Sequence, residues 1–236
     1  MINELILGDC FDLLPNIKSK SIDLILIDPP YFISKDSNYT KVNDNTSDLM
    51  KLKYSKLSID YGDWDKKDID FEFLFKEYYR ILKKGGTIII FYDIWKAADI
   101  KKIANDVGFK QPRVCCWIKN NPVPINSKCN YLSNASEYFF TFVKHSKPTF
   151  NSKYDKGFYN YPLCHGKERF DHPTQKPYGL IKELILKHSN EGDLVLDTFA
   201  GTYTTSVVCR DLNRNFISIE KEEKYFKIGK ERYDKD

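Results

Sequence analysis

Two short runs of residues and one isolated carboxylate stand out for the chemistry they could do. Asp28-Pro29-Pro30-Tyr31 follows the apolar run Ile22–Ile27, so it sits where a buried strand ends. Two consecutive prolines fix φ and supply carbonyls on residues that have no N–H. With a carboxylate ahead of them and an aromatic ring behind, the unit can accept two hydrogen bonds from a planar amino group and stack on the ring that bears it. The second run, Asp197-Thr198-Phe199-Ala200-Gly201-Thr202-Tyr203-Thr204-Thr205, joins the apolar Asp193–Leu196 to a helical pattern. Glu220 stands nineteen residues beyond Gly201, at the end of the next apolar run. A small-residue turn lets a ligand approach the backbone, and an acidic residue about 20 positions on is placed for ribose hydroxyls. That is a nucleoside-type site with one glycine instead of three. Each run also has a plain alternative: a Pro-Pro turn closing a strand, and an ordinary glycine-containing strand–helix turn.

The elements that must position these residues follow from the apolar pattern. Strands are expected at Glu4–Leu7, Ile22–Ile27, Thr87–Tyr92, Arg113–Ile118, Glu137–Val143, Asp193–Leu196 and Phe216–Ile219. Helices are expected at Phe11–Ile17, Phe71–Lys84 (stopped by Gly85-Gly86), Ile94–Val107 (closed by Gly108), Pro177–Ser189, Thr204–Asp211 and Glu222–Tyr233. Strand–helix alternation around buried strands predicts an α/β fold with a doubly wound, mostly parallel sheet, in which ligands bind beyond the carboxyl ends of the strands. Two polar stretches, Ser34–Asp70 and Ser146–Asp171, do not fit the alternation and read as loops.

The 236 residues suffice for one large α/β domain, and no apolar run approaches the roughly 20 residues of a membrane helix. Met1–Leu5 shows no basic stretch followed by an apolar one, so no secretory leader is expected. The six cysteines form no CxxC pair, which excludes the usual zinc patterns and a small disulfide framework; no metal site is expected. Net charge is only +4, but Lys110–Lys187 holds thirteen Lys and Arg against five Asp and Glu, together with three of the four histidines, and the fourth, His188, follows it directly. Aromatic residues interleave with these charges, a composition suited to a polyanion with stackable bases.

Asp28-Pro29-Pro30-Tyr31 matches the DPPY motif of S-adenosylmethionine-dependent DNA amino-methyltransferases. Asp197–Thr205 resembles their cofactor motif DPFxGSGTT, and His172-Pro173-Thr174-Gln175-Lys176-Pro177 matches the HPTQKP segment before it. The order, DPPY early and cofactor motif late, is similar to the permuted β class. Gly8-Asp9-Cys10, Asp60-Tyr61-Gly62-Asp63-Trp64-Asp65, Trp117–Pro122 and Phe216–Glu220 extend the likeness over nearly the whole chain. Three departures stand in the cofactor motif: Thr198 for proline, Thr202 for serine, and Tyr203 for glycine. If that glycine has positive φ, Tyr203 is strained by about 1 kcal/mol or more, and its ring could crowd the cofactor.

The resemblance implies a Rossmann-like class I methyltransferase fold: a single domain over 1–236, a mostly parallel seven-stranded sheet with helices on both faces, a mobile loop at about 34–70 and a target-recognition insertion at about 145–170. It implies transfer of a methyl group from S-adenosylmethionine to N6 of adenine in a short target of double-stranded DNA, by base flipping and direct in-line transfer. The catalytic residues would be Asp28, Pro29, Pro30 and Tyr31. Asp9 and Cys10 would take the adenine end of the cofactor and Glu220 its ribose hydroxyls. Phe199, Ala200, Gly201 and Thr202 would line the turn, with Asp28, Asp197, His172, Thr174 and Lys176 towards the methionine end. Asp9 also reads as an N-cap, and His172 as a capping or core histidine. Lys144, Lys147, Lys153, Lys156, Lys167 and Arg169 would meet the nucleic acid.

Localisation would be cytoplasmic, in a bacterium or a phage-infected host. A homodimer and a cognate restriction enzyme are admitted as partners without being specified. N4-cytosine methylation fits the same amine geometry; aspartate rather than serine at the head of the motif favours adenine within the family. Methylation of RNA or of a protein amide, and a non-catalytic S-adenosylmethionine- and DNA-binding protein, are the other readings, the last kept open by Tyr203.

Overall fold

The computed structural model describes residues 2–31, 69–122, 132–145, 147–172 and 174–235. The chain divides into one compact unit of Met1–Pro29 with Asp70–Asp236 and a second of Pro30–Ile69. The loop expected over 34–70 falls in the second unit but for Asp70, and outside the described residues but for Ile69 and Asp70. Asp60–Asp65 lies outside them too.

Eight strands and six α-helices are described, all in the first unit. The strands are β1 (Glu4–Leu7), β2 (Ile22–Ile27), β3 (Leu82–Phe91), β4 (Lys110–Lys119), β5 (Ser136–Val143), β6 (Phe158–Tyr161), β7 (Leu194–Asp197) and β8 (Asn215–Glu220). They form one sheet in the order β1-β8-β7-β2-β3-β5-β4-β6. From β1 to β3 all neighbours are parallel; β5 runs antiparallel to β3 and β4, and β6 is parallel to β4. The helices are α1 (Cys10–Leu13), α2 (Phe71–Ile81), α3 (Ala97–Val107), α4 (Tyr178–His188), α5 (Thr204–Asp211) and α6 (Glu223–Lys235). β2 is apolar and buried except at Asp23, as a central strand covered on both faces must be. The chain leaves β2 for β3 on one side and returns to β7 on its other side. That reversal opens a crevice beyond the carboxyl ends of β2 and β7.

The Rossmann-like α/β expectation holds, with three differences that have physical causes. The sheet has eight strands rather than seven, because Phe158–Tyr161, in the stretch expected to be irregular, pairs with Cys116–Lys119. Gly85-Gly86 does not stop a helix. α2 ends at Ile81, Leu82 already pairs with Ile22, and the register slips between Ile22 and Leu24. Gly85 has φ +84°, and a Cβ there would lie 2.7 Å from the Lys147 carbonyl oxygen, so the glycines permit an irregular strand in a tight space.

The third difference is Tyr203. It does take the left-handed conformation, φ 61° and ψ 33°, at the start of α5. Its ring, however, is fully buried and packs on α6, with the Phe226 ring centroid at 6.0 Å. Gly229 makes the room, since a Cβ on it would overlap Tyr203 Cδ2. The large residue in the turn is thus matched by an absent side chain on the facing helix.

Tyr203→Gly should relieve roughly 1 kcal/mol of backbone strain but forfeit a buried aromatic side chain worth about 3–5 kcal/mol. Net destabilisation is expected in denaturant unfolding. Gly229→Ala should also destabilise, by about 1–3 kcal/mol through overpacking.

Candidate active site

The carboxyl ends of β1, β8, β7 and β2 lie side by side because the four strands are parallel. They carry Asp9, Glu220, Asp197 and Asp28 to one edge of the sheet. Asp197, the last residue of β7, accepts the Phe199 N–H at 3.1 Å and the Thr205 hydroxyl at 2.6 Å. Thr198 beside it is buried, its hydroxyl 2.5 Å from the Tyr78 hydroxyl of α2. Glu220 accepts the N–H of Gly201 at 2.6 Å and of Glu222 at 2.7 Å, which ties the turn to the end of β8. Burial pushes both carboxyls up to about 7, and the nearby charges of Asp28 and Glu220 add to the rise at Asp197.

The remaining cofactor candidates fall around this edge. Asp9 caps α1 through the Phe11 N–H at 3.0 Å and pairs with Lys221 at 2.7 Å. Cys10 is buried at the start of that helix, and burial with the Asp9 charge pushes its thiol up to about 12. Ala200 is buried, its N–H on the Ile219 carbonyl at 3.1 Å, and Phe199 is half-buried. Thr202 is buried, its carbonyl held by Arg232 at 3.2 Å. The His172 ring lies 4.4 Å from the Tyr225 ring, and a Cβ on Gly201 would come within 3.2 Å of His172 Nε2. Gly201, at φ +52°, lets the imidazole approach the turn. Burial, with Lys176 adding, holds His172 down to about 4, so the ring is neutral at pH 7. Thr174 is exposed, and its N–H points to His172 Nδ1 at 3.3 Å.

Asp28 follows the central strand β2. Its carboxylate is held by the ammonium of Lys176, with Nζ 2.5 Å from Oδ2. Lys176 is itself buried, lies 5.1 Å from the centre of the Phe91 ring and pairs with Glu137 of β5 at 3.2 Å. Glu137 pairs in turn with Lys119 of β4 at 2.9 Å. Lys176 stays charged because the attraction of Asp28 and Glu137 outweighs burial, and Glu137 is held below the usual carboxylate range by the two lysines, which together outweigh its own desolvation. Pro30 and Tyr31 follow at the start of the second unit. Sequence reasoning did not find Glu137, Lys119, Tyr78 or the specific bond from Thr205. An acidic residue opening an apolar strand is the only trace Glu137 leaves in the sequence.

The edge is rich in carboxylates, and Lys176 is engaged with two of them. Buried acceptors with raised affinity for protons suit a ligand that brings hydroxyl donors and a positive charge. The residues present fit a cationic nucleoside.

The six basic candidates separate. Lys144 is buried, its ammonium donating to the carbonyls of Tyr79 at 2.5 Å and Leu82 at 2.8 Å over the Tyr79 ring. The expectation that it meets a nucleic acid is corrected, since its charge closes the end of α2. Lys147 is exposed but lies by Gly85, at the amino end of β3, the opposite edge from Asp28. Lys153 and Lys156 are exposed and precede β6. Because β6 is parallel to β4, it carries the chain to the carboxyl edge, where Tyr161 pairs with Lys119. Lys167 and Arg169 are exposed beyond it, and the adjoining backbone is tied to Gln175 through Phe170 N–H at 3.0 Å.

A family model described as DNA methylase, for N6 and N4 methyltransferases, matches residues 22–231. The type II methyltransferase M.HinfI of Haemophilus influenzae is 33% identical over 249 residues, covering 98% of this chain and 68% of its own. M2.MboI of Moraxella bovis is 32% identical, with 96% and 85% covered. Among solved structures, the M1.HpyAVI–SAM complex is similar with a TM-score of 0.71 at 26% identity, covering 97% of this chain and 98% of that one. The PvuII DNA methyltransferase, cytosine-N4-specific, shares the fold with a TM-score of 0.73 at 18% identity, covering 97% and 85%.

Lys144→Met should leave two carbonyls without their donor and cost about 1–3 kcal/mol in denaturant unfolding. Its retention on a heparin column should match the parent's. Weaker retention would return Lys144 to the polyanion-binding set.

Proposed function

The chain belongs to the DNA methylase family of amino-methyltransferases, and we propose that within it the chain methylates the N6 amine of adenine in duplex DNA, with S-adenosylmethionine as donor. The observation that carries this reading is Asp28, fixed by a buried ammonium at the switch point of the sheet, followed by Pro29, Pro30 and Tyr31 and flanked by the carboxylates of β7 and β8.

The exocyclic amine of adenine is a poor nucleophile because its lone pair is delocalised into the ring. Asp28 and the Pro29 carbonyl accept its two N–H groups, draw the nitrogen towards tetrahedral geometry and localise the pair. Lys176 holds the Asp28 carboxylate in place beforehand, so the acceptor needs no reorganisation when the amine arrives. When bound, S-adenosylmethionine supplies an electrophilic methyl on a sulfonium, with no covalent enzyme intermediate required. Glu220 accepts from the ribose hydroxyls, and the carboxylates around it favour the positive charge. The base leaves the duplex at a cost of a few kcal/mol, and stacking on Tyr31 offsets roughly 1–3 kcal/mol of it. Lys167 and Arg169, on the same edge as Asp28, position the phosphates. Asp28 at the head of the motif, rather than serine, supports adenine over cytosine by resemblance to the family.

Duplex DNA incubated with labelled S-adenosylmethionine, then digested to nucleosides, should contain N6-methyladenine. Asp28→Ala and the isosteric Asp28→Asn should yield none while keeping cooperative unfolding. N4-methylcytosine would overturn the base assignment, and an active Asp28→Asn the mechanism.

Cofactor affinity should also depend on pH. Asp197 and Glu220, at about 7, carry protons at pH 6 that a cationic ligand displaces. Binding therefore tightens as pH rises, by about tenfold between pH 6 and 8 for each group that must ionise. His172, at about 4, stays neutral over this range and adds no slope. Calorimetry on Glu220→Gln should show weaker binding with a shallower slope.

A further inference from the structure

Glu137 belongs to none of the motifs, yet it is a buried carboxylate two charges away from the reacting amine. Asp28, Lys176, Glu137 and Lys119 form a row of alternating charge, with separations of 2.5, 3.2 and 2.9 Å. The inner members have 7% and 22% side-chain exposure, and Lys119 has 10%. The four residues come from distant parts of the chain: the end of β2, the turn before α4, the first residues of β5 and the last of β4. Glu137 pairs in register with Trp117, and Phe139 with Phe91, so the amino end of β5 lies beside the carboxyl ends of β3 and β4. Antiparallel β5 thereby brings the start of a strand to the catalytic edge.

The Lys176 ammonium faces two carboxylates, hydrogen-bonded to Asp28 at 2.5 Å and ion-paired with Glu137 at 3.2 Å, so a move towards either weakens its attraction to the other. The closer Lys176 binds Asp28, the less electron density Asp28 offers to the amine. We propose that Glu137 is a positioning residue: by competing with Asp28 for the Lys176 ammonium, and with Lys119 as its own counter-ion, it sets how strongly Asp28 can accept the N–H of the target base. The proposal rests on the function assigned to Asp28 above.

The device makes two variants change the reaction in opposite directions, which a merely structural ion-pair row does not. Glu137→Gln releases Lys176 onto Asp28 and should lower kcat at least tenfold, with KM for DNA and for S-adenosylmethionine within about threefold of the parent. Lys119→Met leaves Glu137 to draw Lys176 away, and should raise kcat about twofold or more. Both should lower the unfolding midpoint. Carbon-13 NMR of the Asp28 carboxyl reads the same effect without methyl transfer: its titration midpoint should fall in Glu137→Gln and rise in Lys119→Met. Parental values in Glu137→Gln, or kcat falling in both variants, would overturn the proposal. If Glu137→Gln does not fold, Lys119→Met decides alone, and a fall or no change refutes the idea. A parent that shows the NMR shifts but methylates nothing would refute the function of Asp28 while leaving the competition for Lys176 standing.

Discussion

Parallel strands deliver their carboxyl ends to the same edge, and here those ends carry Asp9, Asp28, Asp197 and Glu220. Like charges so gathered repel, and the way the repulsion is contained determines the rest of the site. Asp9 is relieved by Lys221 and a helix start, and Asp28 by Lys176. Asp197 and Glu220 have backbone and hydroxyl donors, and it is chiefly burial that raises their affinity for protons. An edge of this kind has a standing demand for positive charge, which a sulfonium nucleoside meets on binding.

The one deeply buried ammonium in that arrangement has to be held from two sides. Asp28 holds it from one side and Glu137 from the other. Antiparallel β5 is what brings the second side. A parallel strand at that place would present its carboxyl end there, and Val143 would stand where Glu137 stands. The reversed strand therefore shapes the charge around Lys176 as well as the topology.

Much of this was legible in the residue pattern because it is local. Ile22–Ile27 and the runs at 87–92, 193–196 and 216–219 announce buried strands, and chemistry-bearing residues follow three of them directly in the chain. The motif order then brings Asp28, Asp197 and Glu220 to one edge without further information. What was not legible is tertiary. Glu137 is one acidic residue among many until β5 is paired with β3. Lys144 reads as a surface cation until the end of α2 is seen to close on it. Gly85-Gly86 has the composition of a helix stop, and only the pairing of Leu82 with Ile22 turns it into a strand irregularity. Phe158–Tyr161 is no apolar run, with Phe158 and Asn160 exposed, and it registers as a strand only with β4 beside it.

Tyr203 and Gly229 also bear on how the site comes into being. The turn between β7 and α5 is fastened from behind by α6: the Tyr203 ring fills the gap at Gly229, and Arg232 reaches the Thr202 carbonyl at 3.2 Å and the Thr204 hydroxyl at 2.9 Å. The clasp is made of residues that the ribosome adds some thirty positions after the turn they secure. A growing chain holds both β7 and its partner β2 before it owns the helix that braces the loop. The set of the turn thus depends on residues far along the chain from it: Arg232 supplies the donor, and Gly229 gives the left-handed tyrosine somewhere to put its ring.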